Sequence, residues 1–291
     1  MKNVLYYKYM ELSDLDEFRE SHFELCKSLN LLGKVLIAKE GINGCMTGEF
    51  NDIQKYINKM REDKRFTDID FKITDSPKGH GFKKLFVRIR QEIVTSKMDI
   101  DLNKKGKYIE PKKLKEMYDN GEDFVIMDMR NMYEAKIGKF RNAIVFDTDI
   151  FRDVIKHVKE IEHLKNKKII TYCTGGVRCE KASALLVENG FKDVNQLHGG
   201  IIKYGLECSN NYWEGKCFVF DTRGAIEIDP SKQSEIIAQC ELCNIPSDVY
   251  HNCKRFACDK RFISCENCLS ILGECCSKNC RNIEAKNSLV N

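Results

Sequence analysis

Residues 172–186 read YCTGGVRCEKASALL. An apolar run enters this stretch, a glycine pair interrupts it and a helical pattern leaves it, which puts Cys173 between the end of a strand and the start of a helix. That junction is where open α/β sheets place their ligands. Gly175 and Gly176 admit backbone angles closed to other residues, so the N–H groups of Thr174, Gly175, Gly176 and Val177 can turn inward as an anion-binding nest. The helix N-terminus adds partial positive charge, and Arg178 adds a full one. In such surroundings the thiol pKa falls and Cys173 becomes a thiolate nucleophile. The plainer reading is a structural cysteine beside a tight turn; the glycines, the arginine and the strand–helix position together favour the nucleophile.

Working outward, strand and helix patterns alternate from about residue 108, as in a parallel sheet flanked by helices. DFVIMDM (123–129) and KKIITYC (167–173) are short apolar runs bounded by charge, the pattern of buried parallel strands. EKASALLVENG (180–190) is a helix with Ala182, Leu185 and Leu186 on one side and Gly190 placed to end it. This central, doubly wound α/β domain is assigned to residues 96–225.

The N-terminal third has a different order. NVLYYKY (3–9) reads as a strand; Leu15, Phe18, Phe23, Leu25, Cys26 and Leu29 then follow at roughly helical spacing, with Ser13 as the expected N-cap. In KVLIAKEGINGCMTG a strand leads to a glycine-bounded turn at Gly41–Gly44 and a second strand. Ile53, Tyr56, Ile57 and Met60 mark another helix, followed by strands near IDFKIT and KLFVRIR. The β-α-β-β-α-β order is that of a ferredoxin-like (acylphosphatase-like) α+β domain, residues 1–95.

A chain of 291 residues, 42% hydrophobic, is long enough for about two domains and a smaller module. No apolar run reaches the ~18 residues of a membrane span and the N-terminus lacks a signal-peptide cleavage site, so a soluble, cytoplasmic protein is expected. Fifteen cysteines in a reducing compartment point to thiolate chemistry and metal binding instead of disulfides. A net charge of only +4 confines any nucleic-acid surface to a local patch. KGHGFKKLFVRIRQ (78–91) is such a patch: Lys78, Lys83, Lys84, Arg88 and Arg90 alternate with Phe82 and Phe86, a mix suited to phosphate contact and base stacking or, more plainly, to a soluble strand edge. The glycines of EGING would likewise let an RNA backbone approach closely.

Nine cysteines fall between residues 240 and 280. A segment of ~40 residues with few large apolar groups cannot fold on a hydrophobic core alone, and metal ligation would supply the missing free energy. Four alternating pairs imply two interleaved zinc ions in a cysteine-rich module spanning 226–291. The first ion is assigned Cys240, Cys243, Cys265 and Cys268; the second, Cys253, Cys258, Cys280 and one of Cys275 or Cys276, with Cys276 preferred and His251 as a substitute ligand.

YCTGGVRCEKASALL, the following GFKDVNQLHGGIIKYG and the upstream DMRNMYEAKIGKFRNAI resemble the two halves of a rhodanese domain. More narrowly, KEGINGC, RNMYEAKIGKF, CTGGVRCEK, GGIIKY and WEGKCFVFDTR, in that order, resemble the bacterial rhodanese-like family of oxygen-dependent tRNA uridine-34 hydroxylases. The resemblance covers residues 3 to about 276. It implies oxidation of the wobble uridine of a tRNA anticodon stem-loop to 5-hydroxyuridine, with Cys173 required, molecular oxygen as co-substrate, an electron donor no motif identifies, and neither membrane nor DNA as partner. The six-residue loop from Cys173 to Arg178 matches sulfurtransferase rhodaneses rather than the seven-residue loop of related phosphatases, so sulfur transfer through a Cys173 persulfide is the alternative. The resemblance also implies a supporting role for Asp128, Arg130 and Glu134. Asn131 and Tyr133 fit either the pocket or a domain junction, His198 either the pocket or a solvated loop, and Cys179 either a resolving thiol or a packed one.

Overall fold

The computed structural model describes residues 1–77 and 81–287. In its first part, β1 (Lys2–Tyr9), α1 (Leu15–Ser28), β2 (Leu32–Ala38), β3 (Gly41–Gly48), α2 (Phe50–Glu62), β4 (Lys72–Asp75) and β5 (Leu85–Ile89) form a five-stranded sheet of order β4-β1-β3-β2-β5. Its pairings are antiparallel except β2 with β5. Alternation decides the faces. Val4, Tyr6, Val35, Ile37, Ile42, Met46 and Val87 form one core with Phe18 and Cys26 of α1 and with Ile53, Tyr56, Ile57 and Met60 of α2. The last four recur at i, i+3, i+4 and i+7, and burial of each contributes about 1.5–3 kcal/mol.

Two local expectations fail here. Helix α1 is preceded by Asp14, with Ser13 one residue outside the cap and no side-chain cap bond. The Gly41–Gly44 segment is not a turn: it opens β3, and the chain reverses at Lys39 and Glu40. Packing overrides the Asn-Gly turn signal. A Cβ on Gly41 would lie 2.0 Å from the Lys8 carbonyl oxygen, and one on Gly44 would lie 2.2 Å from the Tyr6 ring. These two glycines therefore admit strand β1, not an RNA backbone.

The second sheet is built from β6 (Lys107–Ile109), α3 (Pro111–Asp119), β7 (Val125–Asp128), α4 (Met132–Ile137), β8 (Gly138–Phe140), β9 (Ile144–Val145), α5 (Phe151–Val154), β10 (Lys168–Tyr172), α6 (Val177–Glu188), β11 (Asp193–Leu197) and α7 (Gly200–Cys208). Strands β6-β11-β10-β7-β9 are all parallel, and β8 lies outside this sheet. One apolar cluster joins a sheet face to α5 and α6 through Phe151, Val154, Ala182 and Leu185. The other joins the opposite face to α3 and α7 through Leu114, Met117, Ile201 and Ile202. The sheet is thus covered on both faces, as parallel strands require.

Short strands follow: β12 (Trp213–Gly215) on β8, β13 (Cys217–Phe218) with β14 (Ala225–Ile226), and β15 (Tyr250–Asn252) with β16 (Arg261–Ile263), then α8 (Glu266–Ile271) and α9 (Lys278–Asn287). The small core of the last segment is mostly cysteine: Cys253, Cys275 and Cys280 around Phe262. Among the described residues no helix is long and apolar enough to cross a membrane.

Candidate active site

Strand β10 ends at Tyr172 and α6 begins at Val177, leaving Cys173–Gly176 as the connection. Gly176 takes φ +103°, and a Cβ there would meet the Tyr7 hydroxyl at 2.9 Å, so only glycine suits this position. Its N–H donates to Cys173 Sγ at 3.1 Å. From behind, the first amides of α7 hold the loop: Ile201 N–H donates to the Cys173 carbonyl at 3.0 Å and Ile202 N–H to that of Thr174 at 3.1 Å. A Cβ on Gly200 would lie 2.4 Å from the Cys173 carbonyl oxygen, which explains the glycine that opens α7.

The thiol is completely buried. Burial alone would raise its pKa; a hydrogen bond from Cys179, the charge of Arg178 and the N–H groups of Arg178 and Gly176 outweigh it and bring the value to about 6. Cys179 is driven the other way, well above its ordinary value, by its own burial and by the Cys173 thiolate it serves. It is a packed hydrogen-bond donor to the Cys173 sulfur.

Arg178 is not a free cation. Its guanidinium donates to Glu134 Oε1 at 2.6 Å and Oε2 at 2.9 Å, and Glu134 is fully buried. Arg130 and Asp128 form a second buried pair, with Nη2 to Oδ2 at 2.6 Å and the Tyr172 hydroxyl donating to the same oxygen at 2.7 Å. Asp128 thus ties β7 to β10 through Tyr172, and Arg130 ties it to β8 by donating to the Gly138 carbonyl at 2.6 Å. Asn131 donates to the Tyr133 hydroxyl, and Tyr133 packs on Phe218 and Tyr250, at the junction with the cysteine-rich segment. His198 pairs with Glu110 at 2.7 Å and lines a different cavity.

The face of the first sheet that does not carry α1 and α2 roofs the cysteine loop. Two cross-strand rungs, Leu5–Cys45–Lys34–Phe86 and Tyr7–Asn43–Leu36–Arg88, lie on it. Helix α6 clamps this face: Lys181 Nζ reaches Glu40 at 2.9 Å and Glu92 at 2.6 Å, and Glu180 accepts from Tyr7 at 2.8 Å and Tyr108 at 2.6 Å. Asp221 accepts from Asn3, and Thr222 exchanges backbone and side-chain bonds with Gly81, which brings Phe220 over Arg178 at 5.9 Å. The cleft between the sheet face and the loop has a volume of about 360 Å³. Cys173, Thr174, Gly175, Val177 and Arg178 line one wall, and Leu5, Tyr7, Lys34, Leu36, Asn43 and Cys45 the other. Phe82, Val94 and Phe220 also line it. Gly176 serves the sulfur and does not line the cavity.

Lys83, Lys84, Arg88 and Arg90 are all exposed. Phe86 and Arg88 continue the two rungs beyond the cavity, and the Arg88 guanidinium lies 4.4 Å from the Phe86 ring centre. Lys83 and Lys84 border a shallow groove that shares Phe82 and Phe220 with the cavity. Lys78 lies outside the described residues. Sequence reasoning missed the roof: Leu5, Tyr7, Lys34, Leu36 and Asn43 are the outward half of ordinary alternating strands. The usable signal was Lys34 and Asn43, polar groups within otherwise apolar runs.

Two cysteine quartets form, and they interleave. The Sγ atoms of Cys240, Cys243, Cys265 and Cys268 lie within 4.8 Å of one another, as do those of Cys253, Cys258, Cys276 and Cys280. Cys243–Cys265 and Cys276–Cys280 are 3.8 Å apart and Cys258–Cys276 3.7 Å. A tetrahedral ion with metal–sulfur bonds of about 2.3 Å requires an edge of about 3.8 Å, so the donor sets fit. Cys268 N–H points at Cys265 Sγ and Cys276 N–H at Cys253 Sγ, as thiolate ligands are commonly supported. Cys275 packs in the small core instead, and His251 sits on β15 against Phe262.

Family descriptions match along the chain: a UPF0176 acylphosphatase like domain at residues 1–93, a rhodanese-like domain at 110–207 and a rhodanese C-terminal region at 214–281. A tRNA uridine(34) hydroxylase of Cytophaga hutchinsonii is 44% identical over 96% of this chain and 89% of its own. The tRNA uridine(34) hydroxylase of Bacillus cytotoxicus is 42% identical over 96% of this chain and 87% of its own. A solved rhodanese-like domain from Anabaena is 24% identical over 37% of this chain and 78% of its own, with a TM-score of 0.33.

Proposed function

The chain belongs to the tRNA uridine(34) hydroxylase family, and from that premise we propose that it is a cytoplasmic tRNA-modifying oxidoreductase converting the wobble uridine of the anticodon stem-loop to 5-hydroxyuridine. One observation carries the reading. The low-pKa thiol of Cys173 shares a single cavity with an aromatic and cationic sheet face that runs out to the surface through Phe82, Phe86, Arg88 and Phe220. At about 360 Å³ the cavity suits one extruded nucleoside.

The chemistry follows from the thiolate. Cys173 Sγ adds to C6 of uracil, and the displaced electron pair makes C5 nucleophilic. C5 takes up an oxygen atom derived from molecular oxygen; the C5 proton then leaves and the thiolate is expelled. The sum is uridine, O2, two electrons and two protons giving 5-hydroxyuridine and water, with a two-electron reductant supplying the electrons. Arg178, fixed by Glu134 and bonded to Thr174 Oγ1 at 3.3 Å, keeps the sulfur anionic. Lys83, Lys84, Arg88 and Arg90 hold phosphates outside the cavity.

Residues 1–95 are thus the RNA-binding platform and 96–225 carry the nucleophile. Residues 226–291 are a module held by two structural zinc ions, all-thiolate sites that supply folding energy and no open coordination position. Nucleoside mass spectrometry of tRNA from a deletion strain carrying wild-type or Cys173→Ala protein tests the reading. Restoration of 5-hydroxyuridine derivatives by wild type alone is expected. Their persistence in the Cys173→Ala strain removes the catalytic assignment, and loss of a thiolated base instead favours sulfur transfer.

A further inference from the structure

The polar groups of the Cys173 cavity divide into engaged and unengaged. The Tyr7 hydroxyl donates to Glu180 at 2.8 Å, Arg178 is held by both oxygens of Glu134, and Thr174 Oγ1 accepts from Arg178. Asn43 differs. Its Nδ2 donates to the Ile93 carbonyl at 3.1 Å, and since a carbonyl can accept only from the amide nitrogen, this bond fixes which way the amide points. Oδ1 is left as an acceptor with no partner among the described residues. Lys34, diagonal to Asn43 across the β2–β3 ladder, likewise has no carboxylate partner among them.

We infer that Asn43 reads the Watson–Crick edge of the target base, accepting N3–H at Oδ1 while Lys34 Nζ donates to the adjacent O4, and so selects uracil over cytosine. This deepens the function proposed above and rests on it. The thiolate adds to C6 through a face of the pyrimidine ring, which leaves the Watson–Crick edge free to meet a polar group of the wall, and Asn43 lines the same cavity as Cys173. A base whose ring face lies on the sulfur can turn N3 towards Asn43 on the sheet, while Leu5, Leu36, Val94, Phe82 and Phe220 supply the apolar lining. Cytosine reverses the pattern: its unprotonated N3 would face Oδ1, acceptor to acceptor, and its amino group would face the ammonium. Sites that pair a polar group on the right ligand reject the analogue that leaves that group unpaired.

The test measures binding of three anticodon stem-loop RNAs, differing only in uridine, N3-methyluridine or cytidine at position 34, to wild-type and Asn43→Ala protein. Wild type is expected to bind the second and third about tenfold more weakly than the first. Asn43→Ala, shown to be folded by an unchanged thermal transition, is expected to bind the uridine and N3-methyluridine RNAs alike and to keep only the part of the cytidine discrimination that Lys34 supplies; Asn43→Ser takes its place if the alanine variant does not fold. Equal wild-type affinity for uridine and N3-methyluridine overturns the inference, as does a variant that keeps the full preference for uridine over N3-methyluridine. If wild type binds the uridine RNA no better than an unrelated hairpin, the anticodon reading itself falls, and this one with it.

Discussion

Both carboxylate oxygens of Glu134 are occupied by the guanidinium of Arg178, so the positive charge that lowers the Cys173 pKa is balanced by an anion from a helix 44 residues earlier in the chain. Breaking a buried pair costs about 3–5 kcal/mol, because the surviving charge stays buried without a partner. Glu134→Gln should therefore lower stability by about 3 kcal/mol in denaturant unfolding. With Arg178 uncompensated, it should also move the Cys173 titration below its native midpoint. A variant that loses stability with no change in that midpoint would make the pair purely structural.

Alkylation should report the thiolate directly. The rate of Cys173 modification by iodoacetamide is expected to rise with pH through a midpoint near 6, far below the ordinary value of 9.0. Cys179→Ala removes the largest of the lowering influences and should shift the midpoint upward, whereas Cys179→Ser keeps a donor and should shift it less. Identical midpoints in all three proteins would mean Cys179 merely fills space. The linkage has a definite sign: the folded value lies below the unfolded one, so this contribution to stability is complete above about 9 and is lost as pH falls through about 6.

The cationic face predicts a separable pair of effects on tRNA affinity. Neutralising Arg88 and Arg90, or Lys83 and Lys84, should weaken binding and flatten its salt dependence by about one ion per lost phosphate contact. Phe220→Ala should cost about 1–3 kcal/mol, as loss of a stacked base does, with the salt slope unchanged. An unaltered slope in the charge variants would assign those residues to solubility.

Metal analysis of protein purified without chelator should find about two zinc ions per chain. Cys240→Ser and Cys253→Ser should each lose one. Chelation should open the segment beyond residue 226 to protease while the two sheets stay resistant. Nine freely titratable thiols in the folded tail would exclude the sites.

The features legible in the sequence are those whose cause is local. Cys173, its glycines and the start of α6 sit within one short stretch, and the alternating apolar runs of β7 and β10 mark a parallel sheet wherever they occur. The cysteine spacing was similarly informative, because C-x-x-C pairs bring sulfurs together across a single turn. What stayed hidden depends on contacts between distant segments. Nothing around Arg178 announces Glu134, and nothing in Lys34 or Asn43 announces that their strand face covers a thiol. The Gly41–Gly44 error has the same origin: the local signal is a turn, but Tyr6 and Lys8 on another strand need the space that glycine leaves.

Interleaving also sets a timetable for synthesis. Neither thiol quartet can close until the chain has doubled back, since Cys243 lies 22 residues before its partner Cys265. At about 5–20 residues per second, the earlier thiols wait on the order of one to four seconds for their partners to be made. The second quartet opens at Cys253, inside the span of the first, so both remain incomplete together. For that interval the nascent tail offers unpaired soft ligands to whatever reaches it, and a cuprous ion or an oxidant that arrives early takes the thiols before the native geometry exists to discriminate.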